Sequence, residues 1–359
     1  MQLVGLLGIS EKIIKIEIKH MKLGLENKHF DTAFQRLSSL EGKTVAITGT
    51  TSGTGFSAAE ACGKLGANVL LLNRPSKRAD TAFALLEATN SNGKFFKIDC
   101  DLQYFQSVRS AAAETMARCP AGLDILCNNA GVMALKDLPT ADGFDVQMQT
   151  NHLSHFLLTK LVFRVLQEAA QKRGEARIVN HSSMARLMVK KLNPKYLEKR
   201  GGNLDGDGTR LFIFQGGRWE RYGQTKLANA AFTACLHMKL RDKNPKIKAM
   251  VAHPGVAETD LQGTAIADGG AGPSGGTGRW LIRQMMKMGQ SQQDGAMGII
   301  RCIADPEINS GQFVGPGMGM TALRGPALSY PLERFYDNPY TRDLLWDKSC
   351  EAIGEDFVI

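Results

Sequence analysis

Apolar and polar positions alternate between two periods along most of this chain. Lys43-Thr-Val-Ala-Ile-Thr48 is a β-branched apolar run that predicts a buried strand. Gly49-Thr-Thr-Ser-Gly53-Thr-Gly55 follows as a glycine turn. Phe56-Ser-Ala-Ala-Glu-Ala-Cys-Gly-Lys-Leu then has helical spacing, and Gly66-Ala-Asn-Val-Leu-Leu-Leu-Asn73 reads as a second strand. Lys94-Phe-Phe-Lys-Ile is a third strand, Leu123-Asp-Ile-Leu-Cys a fourth, and Arg177-Ile-Val-Asn-His a fifth. Between the last two, Leu153, Phe156, Leu157, Leu161 and Val165 mark one face of a helix. The alternation continues to Gly311-Gln-Phe-Val-Gly-Pro and predicts an α/β doubly wound parallel sheet in a single domain. Right-handed crossovers place the strand carboxyl ends, and so Gly49, Arg74, Asn129, Ser183 and Pro254, along one edge.

That edge carries the candidate chemistry. A glycine turn between a strand and a helix lets the backbone approach a pyrophosphate whose charge sits at the helix N-terminus. Gly49, Thr51, Ser52, Gly53, Thr54 and Gly55 are the candidate cradle of a dinucleotide. The second strand ends in Asn73-Arg74-Pro-Ser-Lys-Arg78, with no carboxylate before Asp80. An acidic residue there would suit the ribose hydroxyls of NAD, whereas a cation suits a 2′-phosphate. Asn73 and Arg74, with Lys77 or Arg78 adding charge, predict NADP(H).

Tyr222 and Lys226 stand four residues apart and share a face if the segment is helical. An ammonium about 4 Å from a phenol favours the phenolate by roughly 4 kcal/mol at an effective dielectric near 20. The pairing is therefore expected to draw the tyrosine toward neutrality as an acid/base.

Taken in order, these motifs resemble the short-chain dehydrogenase/reductase family over about residues 42 to 320. Thr48, Gly49, Gly53 and Gly55 match its glycine pattern, and Asp101-Leu102 its adenine-contacting pair. Asn129, Ala130 and Gly131 match the strand end beside the cofactor. Asn151, Ser183, Tyr222 and Lys226 match the catalytic set, and Pro254, Gly255 and Val256 the segment closing over the nicotinamide. The resemblance implies that Tyr222 exchanges the proton, Lys226 tunes Tyr222 and binds the ribose, and Ser183 orients the substrate oxygen. It implies for Asn151 a local helix distortion whose carbonyl holds a relay water to Lys226. The Asn151-His-Leu-Ser-His-Phe156 run and Lys226-Leu-Ala-Asn229 are similar to the retinol-dehydrogenase-like branch, which implies an NADP(H) oxidoreductase of lipophilic alcohols and aldehydes. A catalytically silent nucleotide-sensing scaffold and a light-dependent pigment reductase are the alternatives. The retained Tyr222 and Lys226 count against the first, and Asn128-Asn-Ala-Gly131 against the second.

Thr54 and Thr225 depart from the family's usual branched aliphatic and serine. His181 stands where an apolar residue is commoner and is read as a core histidine with its bonds satisfied.

Composition refines this. The chain has 359 residues, 43% of them hydrophobic, and a formal net charge of +9. Its seven cysteines have no metal or disulfide spacing, so no metal site is expected, and they favour an intracellular, reducing compartment, cytoplasmic or peripheral on a membrane. Residues 186–221 form an insertion holding nine Lys and Arg against four Asp and Glu. It reads as a solvated, variable loop, with a lipid-surface or partner contact as the alternative. Charge without interleaved aromatics argues against nucleic acid. A homodimer is left open. Residues 1–41 read as an N-terminal extension too short in apolar run to span a bilayer, with Ile14, Ile16 and Ile18 in an edge strand or a monotopic membrane contact. Residues 259–292, glycine-rich and then carrying Trp280, Met285, Met286 and Met288, read as a substrate lid within a domain of 42–325. Residues 326–359 read as a C-terminal tail.

Overall fold

A computed structural model of the chain describes residues 25–89, 91–208, 216–257, 289–317 and 323–359. The expectations for residues 1–24, for residues 209–215 of the insertion and for most of the lid lie outside the described residues.

Eight strands form one sheet in the order β3-β2-β1-β4-β5-β6-β7-β8. They are β1 (Thr44–Thr48), β2 (Asn68–Asn73), β3 (Lys94–Asp99), β4 (Ile125–Asn128), β5 (Ala176–His181), β6 (Ile247–Ala252), β7 (Gln312–Gly315) and β8 (Leu328–Pro331). All pairings are parallel except that of β7 with β8. The chain order reverses across the β1–β4 pair, which opens a crevice beyond the strand carboxyl ends. Side chains alternate across the sheet with a period of two. Ala46, Leu70, Leu126, Ile178 and Val251 enter one core, and Ile47, Leu71, Cys127, Val179 and Met250 the other. With both faces covered, these strands read as unbroken apolar runs.

The first core is roofed by α3 (Phe105–Arg118), α4 (Ser154–Arg173), α5 (Gly217–Lys243) and α7 (Pro339–Ile353), and the second by α1 (Gly53–Lys64) and α6 (Gln292–Ala304). The helix α2 (Lys77–Glu87) links β2 to β3 and is capped by Ser76, whose hydroxyl accepts from Ala79 N. The helix α4 stops at Gly174, whose φ of 86° suits a residue without a Cβ.

The first described segment and the last residues are both tied to this frame. The Asp294 carboxylate accepts the backbone N–H groups of Lys28, His29 and Phe30, which fastens residues 28–30 to α6. Residues 326–359, expected as a tail, supply β8 and α7. Phe357 packs edge-on against Phe156 and Phe163 of α4, and Glu355 pairs with Arg109 of α3 and Lys160 of α4.

Candidate active site

At the end of β1 the Thr48 hydroxyl accepts the backbone N–H groups of Asn129 and Ala130, each at 3.0 Å. This joins the strand end before the glycine turn to the strand end after β4. Gly49 has φ 72°, and a Cβ there would lie 2.8 Å from the Ala130 backbone. A Cβ at Gly55 would lie 2.2 Å from the Gly49 carbonyl oxygen, so the first turn of α1 tolerates no side chain at that position. Asn129 closes the turn. Its Nδ2 donates to the carbonyls of Thr48 (2.9 Å) and Gly49 (3.1 Å), and its Oδ1 accepts from the Thr54 hydroxyl (3.2 Å). Thr54, unusual at its position, is thus used as a hydroxyl. Asn73 holds the other side of the turn through Thr50 N and Thr50 Oγ1, at 2.8 and 2.7 Å.

The N-terminus of α1 has no side-chain cap from Ser52 and no acidic residue in its first turn. Its leading N–H groups and positive dipole end are suited to an anion, and Thr51 and Ser52 stand half-buried beside it. The Arg78 guanidinium, from α2, donates to Ser52 Oγ, while Arg74 is exposed at the end of β2. Sequence reasoning gave Arg78 a supporting part. Its contact with the cradle comes from its place in the first turn of α2, within reach of Ser52. These features fit a dinucleotide with its pyrophosphate on α1.

The remaining cofactor candidates lie along the same edge. Asp101 is half-buried, and its Oδ1 accepts from Gln103 N at 3.0 Å. Leu102 is buried, its carbonyl bonded to Ser154 Oγ. Gly131 approaches so closely that a Cβ would meet Asn151 Oδ1 at 3.1 Å and Lys226 Nζ at 3.3 Å. Val256 N donates to Leu323 O at 2.7 Å, Pro254 O accepts from Gln290 Nε2 at 2.7 Å, and Gly255 has φ 63°.

Asn151, Ser183, Tyr222 and Lys226 come together at the centre of the edge. Ser183, just past β5, accepts from Ala185 N at 3.2 Å through its hydroxyl and lies close enough to the Tyr222 phenol to draw its proton affinity down. Lys226 Nζ donates to the His181 carbonyl at 3.2 Å and lies 5.7 Å from the Tyr222 ring centroid. Burial pushes the phenol up to about 12, against a downward pull from Ser183, and brings the Lys226 ammonium down to about 8. The expected draw of Lys226 on the phenol is not found here, because the ammonium is directed at a carbonyl and desolvation of both groups dominates.

Asn151 sits in a π-helical turn, Gln149–Leu153, between the one-turn helix Val146–Met148 and α4. Such turns recur at functional sites and explain how a poor helix former is housed within a helical run. Its side chain bonds both backbone groups of Val132, at 2.7 and 2.9 Å, and Thr225 Oγ1 at 2.9 Å. Thr225 donates in turn to Tyr222 O at 2.8 Å.

Several residues here were beyond sequence reasoning. Met133, Ala134, Ala185 and Trp219 form with Tyr222 a small apolar cluster separate from the two sheet cores, and Ala134 has φ 51°. Arg186, Arg218 and Arg221, counted among the charges of a solvated insertion, are 2%, 5% and 0% exposed. Arg186 pairs with Glu333 and lies 4.2 Å over the Phe313 ring. The Arg221 guanidinium donates to the carbonyls of Leu204, Gly206 and Leu135 and faces Asp137, Asp145 and Asp207. Burial raises the Asp145 carboxyl to about 6 against the pull of Met148 N and Arg221. For these three arginines the solvated reading is corrected: only folding supplies their carboxylate and carbonyl partners. His181 is buried as expected, yet among the described residues only Nδ1 has a partner, the Asn129 carbonyl at 3.4 Å, and Nε2 has none. The expectation of a satisfied core histidine holds for one nitrogen.

A nucleotide edge of this kind on a doubly wound sheet, with a Ser-Tyr-Lys group at its centre, defines a nicotinamide-dependent oxidoreductase. A family model described as short chain dehydrogenase matches residues 43–197. Retinol dehydrogenase 12 of Mus musculus is 34% identical over 88% of this chain and 87% of its own length. Short-chain dehydrogenase TIC 32 A, chloroplastic, of Brassica napus is 34% identical over 64% of this chain and 69% of its own. A crystal structure of a protein from Mycobacterium paratuberculosis superposes with a TM-score of 0.66 at 26% identity, covering 91% of this chain and 98% of that one. The chain belongs to the short-chain dehydrogenase family. Among the described residues no helix is long and apolar enough to cross a membrane, and no group of His, Cys, Asp and Glu could hold a metal.

Proposed function

We propose that this protein is an NADP(H)-dependent oxidoreductase that interconverts a lipophilic alcohol and its aldehyde or ketone. The observation that carries the reading is the convergence of four groups: Lys226 Nζ close to the Tyr222 ring, Asn151 joined to that helix through Thr225, and Ser183 beside the phenol. The nicotinamide supplies or accepts the hydride. Tyr222, protonated at neutral pH, gives its proton to the carbonyl oxygen as negative charge develops there, and Ser183 holds that oxygen beside the phenol. Lys226 has donors to spare beyond the His181 carbonyl, which suit the nicotinamide ribose and a relay water on the Asn151 carbonyl. The cationic end of β2 and Arg78 beside Ser52 support a 2′-phosphate. Met133, Ala134, Ala185 and Trp219 around Tyr222 support an apolar substrate, as does the similarity to a retinol dehydrogenase.

The test is turnover of purified protein with NADPH against retinal, long-chain aldehydes, steroids and quinones. Tyr222→Phe is expected to cut kcat at least about 100-fold, the usual worth of a positioned acid/base, with NADPH affinity nearly unchanged. A variant retaining more than about a tenth of the wild-type rate removes Tyr222 from this part.

A further inference from the structure

His155 is the second histidine of the Asn151–Phe156 run, and the reading above gives it no role. It is 2% exposed and lies one residue into the regular helix after the π-turn. Its ring reaches two groups. Nε2 is 2.9 Å from Thr48 Oγ1, and Nδ1 is 3.0 Å from the Asn151 carbonyl oxygen. Thr48 and His155 are 107 residues apart in the chain.

The bonding around Thr48 settles the proton positions. Its hydroxyl oxygen already accepts two backbone N–H groups, from Asn129 and Ala130. Both lone pairs are used, so the hydroxyl proton must point outward. It has two acceptors in range, His155 Nε2 at 2.9 Å and the Cys127 carbonyl at 3.5 Å. The nearer one takes it. Nε2 is therefore an acceptor, and the ring proton stands on Nδ1, where it is donated to the Asn151 carbonyl. Burial favours the neutral ring, with the imidazole brought down to about 4. The chain of bonds from Thr48 through His155 to the Asn151 carbonyl thus runs in one direction only.

We infer that His155 is a positioning residue: its Nδ1–H fixes the direction of the Asn151 carbonyl and its Nε2 registers that carbonyl to the glycine-turn strand end through Thr48. This rests on the reading that the Asn151 carbonyl holds the water by which Lys226 passes protons. A carbonyl in a π-turn is off the regular i+4 ladder, so a side-chain donor can set its orientation. Because the same histidine holds Thr48, seating the dinucleotide on the turn and aligning the relay become one event.

The two halves of the ring can be replaced separately. Asparagine at 155 places an amide donor near the Nδ1 position, whereas glutamine reaches toward the Nε2 position. His155→Asn is expected to keep kcat within about threefold of wild type. His155→Gln is expected to lose about tenfold or more in kcat, with KM for NADPH little changed and a larger solvent isotope effect on kcat, since proton movement becomes limiting. Equal losses in both variants, or losses that follow the melting temperature with an unchanged isotope effect, would return His155 to core packing. A second measurement needs no turnover. In the cofactor-free full chain labelled with ¹⁵N-histidine, the resonances missing from His155→Asn should report a neutral, Nδ1-protonated ring at pH 7. An Nε2-protonated or charged ring there overturns the inference whatever the activity. If the wild-type chain shows no NADPH-dependent reduction while that ring is Nδ1-protonated, the proposed function fails and the hydrogen-bond assignment stands.

Discussion

At Lys226 the fold works against the charge it buries. The ammonium is almost fully buried with one carbonyl partner, and its proton affinity falls from 10.5 to about 8. The unfolded chain therefore binds more protons than the native one between about pH 8 and 10.5, and stability rises with pH across that window. Below about 8 the cost of burying the charge is present in full. Lys226→Met should accordingly melt higher than wild type at pH 7 while losing turnover, and its advantage should shrink as pH rises from 8 to 10. Circular-dichroism melts across that range check this; a variant that melts lower throughout would mean that the His181 contact outweighs desolvation. The cations near the cradle make a second expectation. Losing one charge-assisted contact to a 2′-phosphate costs roughly 1.5–3 kcal/mol. Arg74→Ala and Arg78→Ala should each weaken NADPH about ten- to a hundredfold and leave NADH nearly unaffected in fluorescence titrations. Equal losses for both nucleotides would defeat the assignment of the 2′-phosphate to this end of β2.

The elements show how the candidate site is held in place. The helix α5 carries Tyr222 and Lys226 and is pinned just before them by Arg221, whose partners come from residues 135–145 and 204–207. Arg221→Met leaves three carbonyls without their donor and the buried Asp145 without its ion-pair partner. A loss of roughly 3–5 kcal/mol is expected, the usual cost of breaking one side of a buried ion pair, measured by urea unfolding. The helix α4 is held from its outer side by the last residues of the chain. Phe156 is fully buried and meets Phe232, Trp346 and Phe357 at ring-centroid distances of 5.2, 5.2 and 5.6 Å. Phe156→Ala should cost about 3–5 kcal/mol through the cavity it leaves. A loss below about 1 kcal/mol would mean that the surrounding rings collapse into the space.

For the molecule as a whole, the order of the elements was legible before the fold was known. Buried parallel strands must be apolar on both faces, and covering helices must be apolar on one, so the two periods alternate in plain view along the chain. The glycine turn, Asn129, Asn151, Ser183 and the Tyr222–Lys226 pair were legible for a related reason: each depends on local spacing or on the end of one strand. Partnership across the sheet edge was not legible. Nothing in the neighbourhood of Thr54 announces Asn129 as its partner, nothing near Thr48 announces His155, and nothing in a run of cations separates Arg221, enclosed by carboxylates, from a solvated lysine. The proton affinities of Tyr222 and Lys226 belong with these. Spacing predicts that the two groups share a face, but the balance between their attraction and their desolvation depends on how much water the folded edge excludes. The sequence by itself determined the sheet, the strand ends and the kinds of reactive groups placed there, because those follow from periodicity and covalent order. Only the tertiary structure decided which groups touch, which charges are buried and which way each proton points, because those depend on contacts between residues far apart in the chain.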